Sequence, residues 1–216
     1  IFPEALGRAL LATYRERGIT VRTGDVPTAF EQRGAVFLTH TRGGDEIESD
    51  IVVVGVGIVP ETSLANGGKL VVGNGVVVNE LLQTSNPDIY AAGDNALFPY
   101  AALGTVTRLE HWDNALKQGR YAGRNMAGAQ EPYTYMPYFY SDLFEFGYEA
   151  VGEVDSRLDT FADWQTEYHT GVIYYLKERR VRGVMLCNVW ERVPAARDLI
   201  RQGREVQPDD LRGAIA

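Results

Sequence analysis

Hydrophobic positions along the chain switch between two rhythms, and the switches mark its elements. Behind Pro3 and Glu4, Leu6, Leu10 or Leu11, and Tyr14 recur at helical spacing and Gly18 follows, which predicts a helix over residues 3–17. Residues 19–22 (ITVR) alternate as a strand. Residues 35–39 (AVFLT), reached through Arg33 and Gly34, read as one arm of a hairpin, which Gly43, Gly44 and Asp45 turn toward residues 46–48. Residues 51–54 (IVVV) are consecutive β-branched apolar positions without alternation, the pattern of a parallel strand covered on both faces.

In the middle of the chain, residues 70–72 and 76–79 flank Gly73-Asn74-Gly75 as a hairpin. Asn86-Pro87-Asp88 is turn chemistry, and residues 89–92 form a short buried strand that shrinks to two alanines just before Gly93 and Asp94. Something bulky therefore lies against that strand's end. A loop through Tyr100 and Gly104 leads to a helix over residues 109–126, in which Leu109, Trp112, Leu116, Gly119, Gly123 and Met126 recur every three or four positions. Its two glycines are expected to let it pack closely on a neighbour, and residues 125–128 end it. Beyond Pro132 the chain turns aromatic, so a domain boundary is expected near Glu131. Residues 147–154, 171–176 and 181–186 read as antiparallel strands, the last two joined by the charged turn 177–180, and a helix over residues 194–204 closes the chain. The aromatic-rich sheet is by default a core or an interface, and such an interface could serve a homodimer.

Composition narrows the classes. With 216 residues, 45% hydrophobic and 23% charged, the chain is long enough for one large core or two small ones. A net charge of -8 argues against nucleic acid as a partner. No apolar run approaches the roughly 18 residues of a membrane span. The single cysteine, Cys187, sits among Val184, Met185 and Leu186 and reads as a core residue. Ile1-Phe2-Pro3-Glu4 has neither a basic leader nor an initiator Met, so no targeting peptide and a start within a longer protein are expected. Among 21 basic residues the lysines are Lys69, Lys117 and Lys177, a bias that suggests a GC-rich bacterial genome and a cytoplasmic setting.

Three places carry candidate chemistry. At a strand's carboxyl end, Gly93 permits close approach of a ligand and Asp94 can accept hydrogen bonds from sugar-like hydroxyls; the bland alternative is a strand-to-helix turn with Asp94 as a cap. Glu110, His111, Trp112 and Asp113 stand at a helix start, where free backbone donors suit an electron-rich ring; the alternative is two acids complementing the helix dipole and a tryptophan in the core. Gly55 and Gly57 leave the strand of residues 51–54, either for a flat ring or as a plain linker.

Thr84, six residues, then Tyr90-Ala91-Ala92-Gly93-Asp94 resembles the second FAD-binding motif of flavoproteins with two dinucleotide folds. The order Glu110-His111-Trp112-Asp113, then Ala115 and Gly119, with Ala122-Gly123-Arg124-Asn125-Met126, is similar to the apoptosis-inducing-factor branch of this ferredoxin reductase-like superfamily. So are Phe139-Tyr140-Ser141-Asp142-Leu143, Gly147-Tyr148-Glu149-Ala150 and the Arg-x-Pro-x-Ala-Arg pattern from Arg192 to Arg197. Trp112 stands where that branch usually has a second histidine, and Tyr140 where it has tryptophan.

The resemblance implies an α/β fold: part of a two-dinucleotide-binding-fold flavoprotein, followed by an α+β C-terminal domain with an antiparallel sheet. Residues 1–66 would end the NAD(P)-binding domain, 67–131 would end the FAD-binding domain, and 132–216 would form the interface domain. It implies hydride transfer from NAD(P)H to FAD and electrons passed to an unidentified acceptor. Asp94, Gly93, His111, Trp112 and Tyr140 would contact FAD; Gly57, Glu110 and Glu149 would contact NAD(P)H. No side chain is expected to act as a covalent catalyst and no metal site is expected. No Gly-x-Gly-x-x-Gly loop precedes a helix, so the first halves of both nucleotide domains are expected in a missing N-terminal portion of the same protein. His169 stands outside the histidine motif of disulfide reductases, which argues against that activity. The alternative is a non-catalytic binding or oligomerisation fragment that does not hold FAD by itself.

Overall fold

A computed structural model describes residues 1–215. The chain separates into two compact units, residues 7–59 and residues 1–6 with 60–216. Helix α1 spans Glu4–Glu16, buries Leu6 and Leu10, and ends before Gly18, whose φ of +77° is the left-handed stop the sequence anticipates. In the smaller unit β1 (Pro27–Arg33), β2 (Val36–Thr41) and β3 (Glu46–Ser49) form an antiparallel meander. Phe37 pairs with both Gln32 and Ser49, so the hairpin arm read at residues 35–39 is the central strand.

Two strands expected in this unit do not form. Residues 19–22 and 51–54 enter no ladder among the described residues, and Val53 is 90% exposed. A parallel strand exists only while neighbours take its N–H and C=O groups. The IVVV run has the composition for such a place without partners to make one.

From residue 60 the larger unit continues with α2 (Ser63–Gly67) and the tight hairpin β4 (Val72–Gly73) and β5 (Gly75–Val77). Residues 89–92 do not form the expected buried strand. They fold back antiparallel onto residues 82–84: the Thr84 N–H donates to the Ile89 carbonyl at 2.9 Å, the Ala91 N–H donates to the Leu82 carbonyl at 3.1 Å, and Tyr90 bridges Gln83. After one 3-10 turn at Gly93–Asn95, the supposed loop is a strand pair, β6 (Ala96–Tyr100) and β7 (Thr105–Thr107). β6 runs parallel to β5 through Ala96 and Leu97 and antiparallel to β7 from Phe98 onward.

Helix α3 (Trp112–Met126) inverts the face inferred from its apolar period. Its buried residues are Asp113, Asn114, Gln118, Ala122 and Asn125. Trp112 is 74% exposed, Met126 is exposed, and a Cβ on Gly119 or Gly123 would meet open space, so neither the expected close packing nor a core role for Trp112 is present among the described residues. The buried amides are tied down instead of avoided. Asn114 Oδ1 accepts from the Tyr133 hydroxyl at 3.0 Å; Asn125 donates to the Leu81 and Glu131 carbonyls at 2.9 Å each and accepts the Glu131 N–H at 2.7 Å. Asn114 and Asn125 are buried with less of the desolvation loss that unpaired amides would incur, whereas Gln118 has only its Oε1 paired and its Nε2 is buried with no partner among the described residues.

Beyond α3, β8 (Tyr138–Leu143), β9 (Phe146–Gly152), β10 (Asp159–Thr166), β11 (Thr170–Lys177) and β12 (Arg180–Cys187) form an antiparallel sheet in the order β10-β11-β12-β9-β8. Helix α4 (Val193–Gln202) follows. The three strands expected here and the charged turn are present, with β8 and β10 added at the edges. One core runs from Leu82, Phe98 and Tyr133 through Val151, Val184 and Leu186 to Ile200. Phe98 meets Tyr133 edge-on at 5.5 Å and 75°, a contact worth about 0.5–1.5 kcal/mol beyond its buried area.

Candidate functional site

Arg108 ties two of the predicted places together. It follows β7 with its side chain almost wholly buried; Nη1 donates to the Asp94 carbonyl at 2.9 Å and Nη2 pairs with Glu110 Oε1 at 2.7 Å. The carboxylate of Asp94 is exposed beyond this link. Gly93 has φ +79° and its N–H donates to Gln118 Oε1 at 2.7 Å, in a buried bond. A Cβ on Gly93 would lie 3.2 Å from that of Ala115, so the bulk anticipated at the end of residues 89–92 is helix α3 itself.

His111 is the extended residue before α3, and its carbonyl accepts the Ala115 N–H at 2.9 Å. Among the described residues no side chain caps the helix, so the amide donors of its first turn keep no capping acceptor there. The imidazole lies flat on Phe139, with centroids 4.4 Å apart and planes within 8°. Burial pulls its pKa down, and the charges of Asp94, Glu110 and Asp113 oppose this only in part. Burial thus favours the neutral imidazole, which has one donor and one acceptor nitrogen.

Across from the helix start stands β8. Tyr138 and Tyr140 stack at 6.4 Å and 27°, and the Tyr140 ring is 63% exposed. Between residues 110–113 and residues 138–140 opens a cavity of about 370 Å³. Its floor includes Asp113, a buried carboxylate that accepts the Tyr138 N–H at 3.2 Å. Glu149 is the cross-strand neighbour of Tyr140 and stands one strand behind the cavity wall. Burial raises its carboxyl pKa, the nearby Arg197 charge opposes the rise, and Oε2 has no hydrogen-bond partner among the described residues.

Glu110, His111, Trp112 and Tyr140 thus meet around one cavity, with Asp94 joined to it through Arg108. Gly57 belongs to the unit of residues 7–59, where its φ is +88° and, its chain neighbours aside, no described residue lies within 4 Å of a Cβ built on it. Arg108 and Gln118 escape a sequence reading, because a buried arginine and an amide that holds a glycine have no local signature; Phe139 stands in the family-like stretch of residues 139–143, but its stacking on His111 has no local signature. Cys187 is fully buried and burial pushes its thiol up to about 12, which leaves it protonated at neutral pH. Among the described residues no three His, Cys, Asp or Glu side chains gather as metal ligands would, and no helix is long and apolar enough to cross a membrane.

The sequence model for the C-terminal domain of mitochondrion-associated apoptosis-inducing factor matches residues 122–167 and 162–202. Apoptosis-inducing factor 1, mitochondrial, of Dictyostelium discoideum is 36% identical over 96% of this chain and 42% of its own length. Monodehydroascorbate reductase 4, peroxisomal, of Arabidopsis thaliana is 32% identical over 86% of this chain and 41% of its own. Among solved structures, a ferredoxin reductase from Rhodopseudomonas palustris superposes with a TM-score of 0.86 at 25% identity, covering 97% of this chain and 52% of that one. A putidaredoxin reductase in covalent complex with putidaredoxin gives 0.83 at 28% identity over 95% and 50%. The chain therefore spans about two fifths of these curated relatives and about half of these solved ones. The fold is the mixed α/β flavoprotein fold of the ferredoxin reductases. Since the model of the pyridine nucleotide-disulphide oxidoreductases matches residues 1–119, more than half of the sequence, the chain belongs to that family.

Proposed function

We propose that the protein containing this chain transfers hydride from NAD(P)H to FAD and passes the electrons to an acceptor. The observation that carries this reading is the cavity between the uncapped start of α3 and the tyrosines of β8, with His111 in its wall, where burial favours the neutral imidazole. Amide donors, a neutral imidazole and an exposed aromatic ring suit a flat, electron-rich heterocycle and fit FAD. When bound, FAD supplies the hydride- and electron-accepting chemistry. On the chain's side, Asp94 accepts from the sugar-like hydroxyls beside Gly93, while His111, Trp112 and Tyr140 orient the flavin ring. Glu110, its other oxygen held by Arg108, accepts from the nicotinamide carboxamide, with Glu149 and Gly57 as the remaining NAD(P)H contacts.

In this reading residues 1–66 end the NAD(P)-binding domain, residues 67–131 end the FAD-binding domain, and residues 132–216 are the interface domain. The partners are a further N-terminal portion of the same protein, a second copy in a homodimer, and an electron acceptor; the covalent putidaredoxin complex of one relative supports a protein acceptor. The setting is the bacterial cytoplasm. The full-length protein should be yellow and its flavin band should bleach under NADH or NADPH without oxygen. A colourless protein that takes up no added FAD defeats the proposal.

The open apolar surface favours a second reading for the chain as it stands, that of a binding or oligomerisation module that does not hold FAD by itself. Ile51, Val53, Val54, Val56, Ile58 and Val59 are all exposed. Titrating FAD into this chain alone, with absorbance as the readout, separates the two readings.

A further inference from the structure

Arg197 on α4 has its side chain only 16% exposed and reaches three anchors with one planar group. Its Nε donates to the Met136 carbonyl at 2.8 Å, its Nη2 donates to the Tyr135 hydroxyl at 2.6 Å, and the same Nη2 stands 3.8 Å from Asp113 Oδ2. The guanidinium also lies over the Tyr135 ring at 4.6 Å and within 5.8 Å of the Tyr138 ring. Asp113, at the other end, is fixed to α3 and takes the backbone N–H of Tyr138. Every one of these bonds falls either on the helix start that carries His111 or on residues 135–138, two positions short of Tyr140.

We infer that Asp113 and Arg197 are positioning residues, a clamp that fixes the spacing between the start of α3 and the entry to β8 and so the width of the ring-binding cavity. The inference rests on the functional reading above for what the cavity holds, but the clamp itself is a property of this chain's own bonds. A structural ion pair alone would not need this shape. The Asp113 contact is long for a hydrogen bond, and a buried pair of that kind is weak evidence for stability. What the guanidinium supplies is a fork that meets a carbonyl, a phenol and a carboxylate at once. An ammonium is a single point charge that cannot meet all three, so Arg197→Lys keeps the charge and loses the geometry. Lys117 Nζ already stands 5.0 Å from the Tyr135 ring centroid, so positive charge near that ring is not the scarce element.

The experiment uses the full-length protein loaded with FAD, as wild type, Arg197→Lys, Arg197→Met and Asp113→Asn. Wild-type reduction by NAD(P)H without oxygen comes first, and its failure defeats the functional reading without touching the clamp. Amide hydrogen exchange at Tyr138 then tests the clamp without any activity. Arg197→Lys and Asp113→Asn should exchange there about tenfold faster, the loss of roughly one charge-assisted hydrogen bond. In the reduction assay the same variants should retain FAD and raise the apparent constant for NAD(P)H by about tenfold, with a smaller change in the limiting rate. A merely structural pair would lower the melting temperature, speed exchange at Tyr138 no more than at core amides remote from it, and leave the apparent constant for NAD(P)H alone. Wild-type exchange at Tyr138 in Arg197→Lys overturns the clamp whatever the melting temperature. Should Arg197→Met not fold, Arg197→Lys and Asp113→Asn decide between the same two outcomes.

Discussion

Gly93→Ala should destabilise the protein by about 1.5–3 kcal/mol, and the contributions can be separated. The backbone at Gly93 is left-handed, with φ +79°, where a residue bearing Cβ loses roughly 1–2 kcal/mol. The new methyl would also stand 3.2 Å from Ala115 Cβ, closer than carbon atoms prefer, adding a further ~0.5–1 kcal/mol of overpacking. Ala115→Gly removes the contact without relaxing φ, at a loss of about 1 kcal/mol from helix propensity. Denaturant unfolding of both single variants and the double variant gives the cycle. The double variant should be less destabilised than the sum of the singles by about the overpacking value, because only the steric part is shared. The Gly93 N–H bond to Gln118 is made by the backbone and survives in every variant, so it does not confuse the result. A Gly93→Ala protein within ~0.5 kcal/mol of wild type would refute the claim that strain and helix approach dictate glycine here.

In the full-length protein Asp94→Ala should weaken FAD retention by roughly 1.5–3 kcal/mol, the worth of a hydrogen bond to a charged group, and unchanged occupancy after dialysis would remove Asp94 from the ligand. Glu110→Ala should raise the apparent constant for NAD(P)H while FAD stays bound; stopped-flow reduction identical to wild type at limiting NAD(P)H would exclude the carboxamide contact. His111 sets a pH limb. Its folded pKa lies below the ordinary value of 6.5, so the unfolded chain binds more protons between the two values, and stability falls as pH drops through that window and levels off below the folded pKa. His111→Gln should flatten this limb in melts taken across mildly acid pH, and an unchanged limb would show that the ring titrates alike in both states.

What could be read in advance follows from where the information lies. The β2–β3 hairpin and the sheet of β9, β11 and β12 were legible because turn residues and apolar runs sit next to one another in sequence, even where Glu178 and Arg179 close the β11–β12 turn with positive φ and no glycine; β1, whose residues are all exposed, has no such apolar run. β6 was not, because Pro99 argues against a strand; it is tolerated because β6 pairs with β5 only through Ala96 and Leu97, before the proline is reached. Residues 51–54 failed for the converse reason, since β-branched composition states the surroundings a strand needs and not whether they are present. Helix α3 was misread because a period of apolar residues cannot see amides that have found partners, and Asn114, Gln118 and Asn125 find theirs at Tyr133, Gly93 and Glu131.

The same distinction separates the two layers of the candidate site. Glu110, His111 and Trp112 are contiguous, so their pattern survives in the sequence whatever surrounds it. The residues that hold them are scattered: Arg108 precedes the motif, Phe139 comes from β8 and Arg197 from α4. Arg108 also joins the Asp94 carbonyl to the Glu110 carboxylate, so the position assigned to the sugar chain and the position assigned to the nicotinamide share one buried cation. Arg108→Met would leave the Glu110 carboxylate without its partner and release the turn at Asp94 together. It should therefore lower FAD retention and NAD(P)H affinity in one step, whereas Asp94→Ala and Glu110→Ala should each lower one. A variant that loses only one of the two would show that the two positions are held independently, and that the arginine is a packing residue between them.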